Sequence, residues 1–416
     1  QVLFLRFFIG FIPIFFIMIL IEYAYGKLKG KNNYRLNDTI TSINIGLLSR
    51  FPTILNLGVQ GLVYAYVASY LSLNILPENS IFTWVFAFVL YDFLYYWMHR
   101  LHHENKLLWG THVVHHHGEE FNLSTAMRQT STGFLWKWIF YLPMVILGIP
   151  PLIFVAVGGL NLIYQYWVHT EHIAKLGWYE KIFITPSNHR IHHAKNPEYI
   201  DANYGGVFIL WDRFFGTYIE EKDEIKPVYG TVKPLRSWNP LWANVEVFSG
   251  MVRDSFYTKH WKDKIKVWFS STKWRPADMI ERFPPTDIEF KEKFDPKLDS
   301  ALKPFLFSQI FIMPVFAMIV FLTVSQQTYT ETAFFGASIL ISSSIIGITL
   351  NNNFSVLYVE IFRALAVVIL IYLFGFADET LLPSIVMTLH ALINLVVSFG
   401  ILFSYQRRLL IKPINN

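Results

Sequence analysis

The chain has 416 residues, 53% of them hydrophobic and only 16% charged, with a mean hydropathy of +0.35; a soluble domain carries about 25% charged residues, so a multi-pass membrane protein is the better class. It contains no cysteine, which excludes disulfide scaffolds, thiolate metal sites, iron–sulfur clusters and cysteine nucleophiles, and leaves nitrogen and oxygen as the only metal ligands. A formal charge of +5 and a pI near 9.0 in so apolar a chain point to anionic lipid headgroups rather than to nucleic acid.

The apolar segments follow in order. The first covers 2–21, and because the chain starts on glutamine a natural N-terminus upstream is expected. A second covers 45–76, with Arg50 and Pro52 at its start, and a third covers 81–98 and leads straight into histidines. Residues 134–168 contain Pro143 and the Pro150–Pro151 pair, so they read as a helical hairpin or as two broken spans. After a polar stretch come four more segments, 304–324, 333–350, 355–376 and 381–404. The expected architecture is all-α, about eight spans with a histidine-rich cap. It divides into N-terminal spans (1–80), a histidine-box core (81–220), a cytosolic or interfacial segment (221–303) and a C-terminal four-span block (304–416).

The loops orient this set. Lys27, Lys29, Lys31 and Arg35 follow the first span, and Arg407, Arg408 and Lys412 follow the last. Loops 74–80, 325–332 and 377–380 have no lysine or arginine and carry Glu78, Glu331, Asp378 and Glu379. Basic loops stay in the cytosol, which puts the histidines on the cytosolic side. That membrane is the endoplasmic reticulum in a eukaryote and the inner membrane in a bacterium.

Twelve of the fourteen histidines lie in two short stretches, seven of them between His99 and His117, where chance predicts about 0.6. His99 and His103 stand at i, i+4, whereas His112, His115 and His116 and again His189, His192 and His193 stand at i, i+3, i+4. On a helix these offsets share one face, so the rings can converge. Eight such ligands exceed the three or four of a single zinc centre and suggest two adjacent metals. His169, in its own HTEH motif, is a ninth candidate. His102 and His117 read as neighbours, and His172 stays open. Imidazole ligation alone suits iron, zinc, copper or nickel.

Candidates to orient the rings are Asp92, Glu104, Glu119, Glu120 and Glu171. Asp92 lies seven residues before His99, two turns back inside an apolar span, and an intramembrane carboxylate is a functional candidate by default. Glu119 and Glu120 read as a solvated edge. Trp211–Asp212, with Asn203 and Tyr204, reads as a turn around Gly205–Gly206 and a short packed element. Glu360 and Arg363, at i, i+3, read as a structural ion pair. Lys259–Arg275 has six basic residues against one acid, interleaved with Trp261, Trp268, Phe269 and Trp274, and reads as an interfacial helix on an anionic leaflet.

The tripartite HxxxH, HxxHH, HxxHH arrangement after apolar spans resembles the membrane fatty acid hydroxylase and sterol desaturase superfamily. The segments RLNDTITS (35–42), HHHGEEFNLSTAMRQT (115–130), YQYWVHTE (164–171), TPSNHRIHHAKN (185–196) and NYGGVFILWDRFFGT (203–217), with EIFRAL (360–365), are similar to its ether-lipid-cleaving branch. Asn188 stands where that branch often has another histidine. The resemblance implies a dioxygen-dependent diiron monooxygenase, with zinc able to replace iron in a prepared sample. It further implies tetrahydrobiopterin as reductant, a bilayer lipid as substrate and a possible homo-oligomer. Glu104 matches the pattern as a catalytic residue beside Asp92. Asn122, Ser124 and Arg128 could serve the pterin or the lipid headgroup, or simply cap a helix. The alternative is an acyl or sterol hydroxylase or desaturase fed by an electron-transfer partner.

Overall fold

The computed structural model describes residues 2–55, 60–285, 292–374 and 381–411. Its described regular structure is helical, with three isolated β-bridges. The first apolar run folds as α1 (Val2–Leu28), about 40 Å long at 1.5 Å per residue.

The second apolar run departs from expectation. Residues 45–76, read as one span, are divided among α2 (Leu36–Leu48), α3 (Phe51–Ile54) and α4 (Gln60–Tyr70). The reason lies in the polar residues of α2: Asn37, Asp38, Thr41, Ser42 and Asn44 are all buried. Thr41 and Ser42 donate back to the carbonyls of Asn37 and Asp38, each at 2.8 Å. A helix buried on every side needs protein rather than lipid around it, so α2 sits inside the fold, against the helices Lys303–Leu322 and Tyr329–Thr349 and the segment 125–127.

α5 (Ile81–Glu104) carries the third apolar run on into its histidines, and α6 (Lys106–His116) follows it directly, the two parted at Asn105. The Asn105 side chain accepts from the amides of Leu107 and Leu108 at 3.0 and 3.3 Å, an N-cap that stops the spanning helix and starts a second one folded back along it. Residues 134–168 form 3₁₀ turns, α7 (Leu142–Ile146) and α8 (Pro151–Trp167), so the prolines do break the run. Gly148, at φ +80°, turns the chain between α7 and α8 where a Cβ would lie 2.7 Å from the backbone of Asn74. The polar stretch carries α9 (Pro186–His192), α10 (Leu210–Phe214), α11 (Pro240–Tyr257), α12 (Trp261–Phe269) and α13 (Ala277–Arg282).

The last block is α14 (Lys303–Leu322), α15 (Tyr329–Thr349), α16 (Val356–Phe374) and α17 (Leu381–Ile411). Among the described residues, five helices are long and apolar enough to cross a membrane: α5 and these four. One buried polar network ties the block together. Glu360 accepts from Arg363 at 2.6 and 2.8 Å and from Asn394 at 2.6 Å. Arg363 also donates to Ser338 at 3.0 Å, and Gln309 bonds both Asn394 and His390. A buried charge pair is tolerated only when so fully bonded, and this one links all four helices.

The contact between α2 and the 125–127 segment is tight enough to test. A Cβ on Gly46 would lie 2.5 Å from the carbonyl oxygen of Met127. Replacing a helical glycine gains up to about 1 kcal/mol of backbone entropy, whereas overpacking against backbone costs about 1–3 kcal/mol. Gly46→Ala is therefore expected to lower the thermal midpoint in detergent, and an unchanged or raised midpoint would show that this contact is slack.

Candidate metal centre

The helix geometry converts the histidine spacing into two nests of ring nitrogens. The first gathers His99 and His103 from α5, His112 and His116 from α6, and His192 from α9. The second gathers His115 from α6, His169 just beyond α8, His189 from α9 and His193 at its C-terminal cap. Within each nest the ligand atoms lie within 4.8 Å of one another, and every ring is buried except His115, which is half-buried. In an HxxHH helix the residues at i and i+4 are about 40° apart around the axis, whereas i+3 falls to the other side of i. α6 therefore sends His112 and His116 to the first nest and His115 to the second. α9 does the reverse, sending His189 and His193 to the second and His192 to the first. The nests touch, with the rings of His116 and His193 stacked 4.4 Å apart.

The rings are held with their lone pairs inward. The Nδ1 atoms of His99, His115, His169 and His192 lie 2.8–3.0 Å from the carbonyl oxygens of Tyr204, Arg128, Gln165 and Ala202. A carbonyl can only accept, so each of these Nδ1 atoms carries the hydrogen and leaves Nε2 free as a ligand. Nε2 atoms then face one another, at 2.8 Å for His99–His112, 3.2 Å for His112–His116, 2.9 Å for His169–His189 and 3.1 Å for His189–His193. Metal–nitrogen bonds of about 2.0–2.1 Å put neighbouring ligand atoms about 3 Å apart, so these spacings fit one ion per nest. The Nε2 atoms of His103 and His192 are buried without any hydrogen-bond partner, a cost that a bound cation would remove. The residues present therefore fit a pair of metal ions. Burial, and then the neighbouring rings, push His112, His116 and His193 well below the ordinary imidazole value of 6.5, and burial takes His192 down to about 4. Neutral imidazole is the ligating form.

All nine histidines singled out from the sequence lie in the two nests. His102 turns away, its Nδ1 on the carbonyl of Met98 at 2.6 Å, and His172 packs against Tyr25. The carboxylates sit elsewhere than a ring-orienting role requires. Asp92 is fully buried but touches no imidazole; it accepts from the amides of Val207 and Phe208, Trp211 Nε1 and Asn161 Nδ2 at 2.7–3.0 Å. Asp212 takes the amides of Tyr204 and Gly205 at 2.7 and 2.8 Å. Together they clamp the 204–208 loop, whose Tyr204 carbonyl orients His99. Glu104 points outward to Arg100 Nε at 2.8 Å, with its side chain 45% exposed, because it follows His103 by one position and so lies about 100° around the helix. Glu171 accepts from Tyr229 at 2.8 Å. Glu119 and Glu120 form no solvated edge: they are largely buried and pair with Arg35 at 3.2 and 2.7 Å. Asn188 accepts the Thr185 amide at 3.1 Å and so caps α9 in place of another histidine.

Of the three residues read as cofactor-binding, two are already engaged. Asn122 accepts from the amide and hydroxyl of Ser124 at 3.0 and 2.6 Å and donates to the Asn33 carbonyl at 2.6 Å. Arg128 differs: it is buried, Asp38 stands 3.6 Å away, and its Nε and Nη1 have no hydrogen-bond partner. The backbone carbonyls that set the tautomers were missed from sequence, since every residue carries one and nothing in its side chain marks it.

Comparison with known proteins follows the same residues. The fatty acid hydroxylase family profile matches residues 84–217, the segment that contains both nests. Alkylglycerol monooxygenase of Danio rerio is 33% identical over 405 residues, 95% of this chain and 89% of the relative. The Homo sapiens protein of that name is 32% identical over 399 residues, 93% and 87% of the two chains. Ornithine lipid hydroxylase OlsE of Rhizobium tropici is 30% identical over 135 residues, 32% of this chain and 41% of its own. No solved structure matches.

Two outcomes test the site. Asp92→Asn replaces one acceptor by a donor facing donors, so the 204–208 loop should loosen and metal content fall by about 10-fold or more; full occupancy by elemental analysis would remove Asp92 from the support of the nest. The unfolded chain binds protons that the buried rings refuse, so the site's contribution to stability is complete above pH 6.5 and is lost as pH falls towards about 4. The metal-free protein should therefore melt at a clearly lower temperature at about pH 5 than at about pH 7.5, a difference read by calorimetry in detergent.

Proposed function

The chain belongs to the alkylglycerol monooxygenase family within the fatty acid hydroxylases, and from that premise we propose that it cleaves the ether bond of alkylglycerol lipids by oxidation. One oxygen atom of dioxygen enters the alkyl carbon next to the ether oxygen, and the other leaves as water with two electrons and two protons from tetrahydrobiopterin. The hemiacetal so formed collapses to a fatty aldehyde and a glycerol derivative. The observation that carries this reading is the pair of adjacent all-histidine nests. The five rings of the first nest exceed the four ligands that structural zinc takes, which counts against zinc, and the family supplies the choice of iron. Bound there, the two metal ions supply the activation of dioxygen.

The chain's own residues do the rest. His99, His103, His112, His116 and His192 would hold one ion, and His115, His169, His189 and His193 the other. Trp109 lies against His103 and His116, and Phe121 stacks on His169; these aromatic walls keep water from the reacting carbon. Arg128, with buried donors unspent, would meet the acceptor atoms of the pterin, while its own carbonyl orients His115. Asn122 and Ser124 shape the turn that presents it. Asp92 acts as a positioning residue through the 204–208 loop. Glu104 acts at one remove, holding Arg100, whose Nη1 donates to Tyr96 at 3.2 Å. His99 and His103 close the end of α5, so an alkyl tail meets the nests where the helix leaves the bilayer. The basic loops put that end in the cytosol. The catalytic unit is residues 81–220, and 304–416 forms a second membrane block that shares a core with α2.

Metal analysis followed by turnover of a radiolabelled alkylglycerol tests this reading. The expected result is about two irons per chain, with aldehyde formed only when dioxygen and tetrahydrobiopterin are both present. His115→Ala and His192→Ala should each reduce turnover by about 100-fold or more. Turnover of an acyl or sterol substrate with a cytochrome reductant, indifferent to pterin, would replace this reading by the acyl or sterol hydroxylase.

A further inference from the structure

α11 and α12 form a hairpin with an apolar face that no described residue covers. On α12, Trp261, Ile265 and Phe269 stand at i, i+4, i+8 and are 80%, 66% and 67% exposed. On α11, Leu241, Val245, Val252 and Phe256 make a matching exposed stripe. A groove between the helices, lined by Val252, Phe256, Trp261, Lys264 and Trp268, opens alongside. Single exposed apolar residues are ordinary, but two aligned stripes rimmed by cations are an interaction surface. Lys262 and Lys266 lie along one edge of the α12 stripe, both exposed and, among the described residues, in no ion pair, with Lys266 4.2 Å from the centre of the Trp274 ring, and Lys259 precedes it. Lys264, on the other edge, donates to the carbonyls of Ser255 and Phe256.

The hairpin's height is set by covalent neighbours of the metal site. The Lys106 amide donates to the Ser270 carbonyl at 2.9 Å, and Asn105 Nδ2 to the Phe269 carbonyl at 3.1 Å. The Lys106 ammonium, 8% exposed, donates to the carbonyl of Trp274. These bonds join the C-terminal end of α12 to the residues directly after α5, a helix long enough to span the hydrocarbon. On α6, a Cβ at Gly110 would lie 2.9 Å from the ring of Phe248, so α11 packs flush against the helix that carries His112, His115 and His116.

We propose that the α11–α12 hairpin is a membrane foot: its apolar stripes enter the headgroup region of the same leaflet at which α5 ends, and Lys259, Lys262 and Lys266 engage anionic lipid phosphates there. Tryptophan and phenylalanine beside lysine suit that boundary, where the ring is buried and the charge stays wet. The foot braces α6, and with it both nests, at the depth of the lipid surface. It stands independently of the substrate assigned above.

The absence of native cysteine makes the test direct. Ile265→Cys and, as a control on a polar exposed loop, Glu198→Cys are each labelled with an environment-sensitive fluorophore in the full chain. The labelled proteins are reconstituted into phosphatidylcholine vesicles with about one-third phosphatidylglycerol. The label at 265 should be quenched by nitroxide-bearing lipid and be several-fold less accessible to aqueous iodide than the label at 198. Equal iodide access at both positions would overturn the foot. So would shielding from iodide without quenching by the lipid nitroxide, the signature of a second copy of the chain seated on the stripe. Replacing Lys259, Lys262 and Lys266 together by Gln should raise iodide access at 265 in these vesicles; no change would overturn the anionic-lipid part of the proposal.

Discussion

The two nests depend on one local constraint, that an imidazole can offer a lone pair inward only if its other nitrogen has somewhere to put its hydrogen. In four of the nine rings that place is a backbone carbonyl, supplied by Gln165, Arg128, Ala202 and Tyr204. Two of these carbonyls lie on one short stretch after α9, and two buried carboxylates are spent on fixing that stretch. Asp92 and Asp212 between them take four of its backbone amides, at Tyr204, Gly205, Val207 and Phe208. The charge in the site therefore acts through the backbone and leaves the rings neutral, which ligation requires.

The same economy explains the spacing of the boxes. An HxxxH pair serves one point, whereas HxxHH serves two, because the i+3 ring leaves the i, i+4 face on the far side. Two HxxHH helices facing each other can then exchange their odd members, and α6 and α9 do so through His115 and His192. Nests assembled this way must lie side by side, as the 4.4 Å stacking of His116 on His193 records. The ion pairs around them have the same logic of full partnership. Arg35, Arg128 and Lys293 face Asp38, Glu119 and Glu120, three charges of each sign, and Glu360 pairs with Arg363 among the last four helices. Arg128 is the exception, a buried guanidinium with donors left over.

Much of the architecture was legible in the sequence. Helices α1, α5 and α14 to α17 follow from runs of hydropathy, and the broken run at 134–168 follows from its prolines. The reading of 45–76 as one span departs from the structure because its first residues belong to α2, and average hydropathy over a window does not register that Asn37, Asp38, Thr41, Ser42 and Asn44, on that helix just before the run, must all be satisfied by protein. The nine nest histidines were legible as a set because helical periodicity is a local property. Glu104 was read towards the site on the strength of its neighbour in sequence, yet one step along a helix turns a side chain by about 100°.

Composition and local spacing fixed the membrane class, the exclusion of thiolate from any metal site and the nine rings that the structure gathers. These rest on composition and on spacings of three and four residues, which a helix translates directly into a shared face. Only the tertiary structure decided which ring belongs to which nest, which carbonyl sets each tautomer, and where Asp92 spends its four bonds. Those are long-range pairings: Asp92 meets Val207 across 115 residues, and His99 meets Tyr204 across 105. No periodicity encodes such a distance, because it is set by how the chain closes on itself rather than by how it winds.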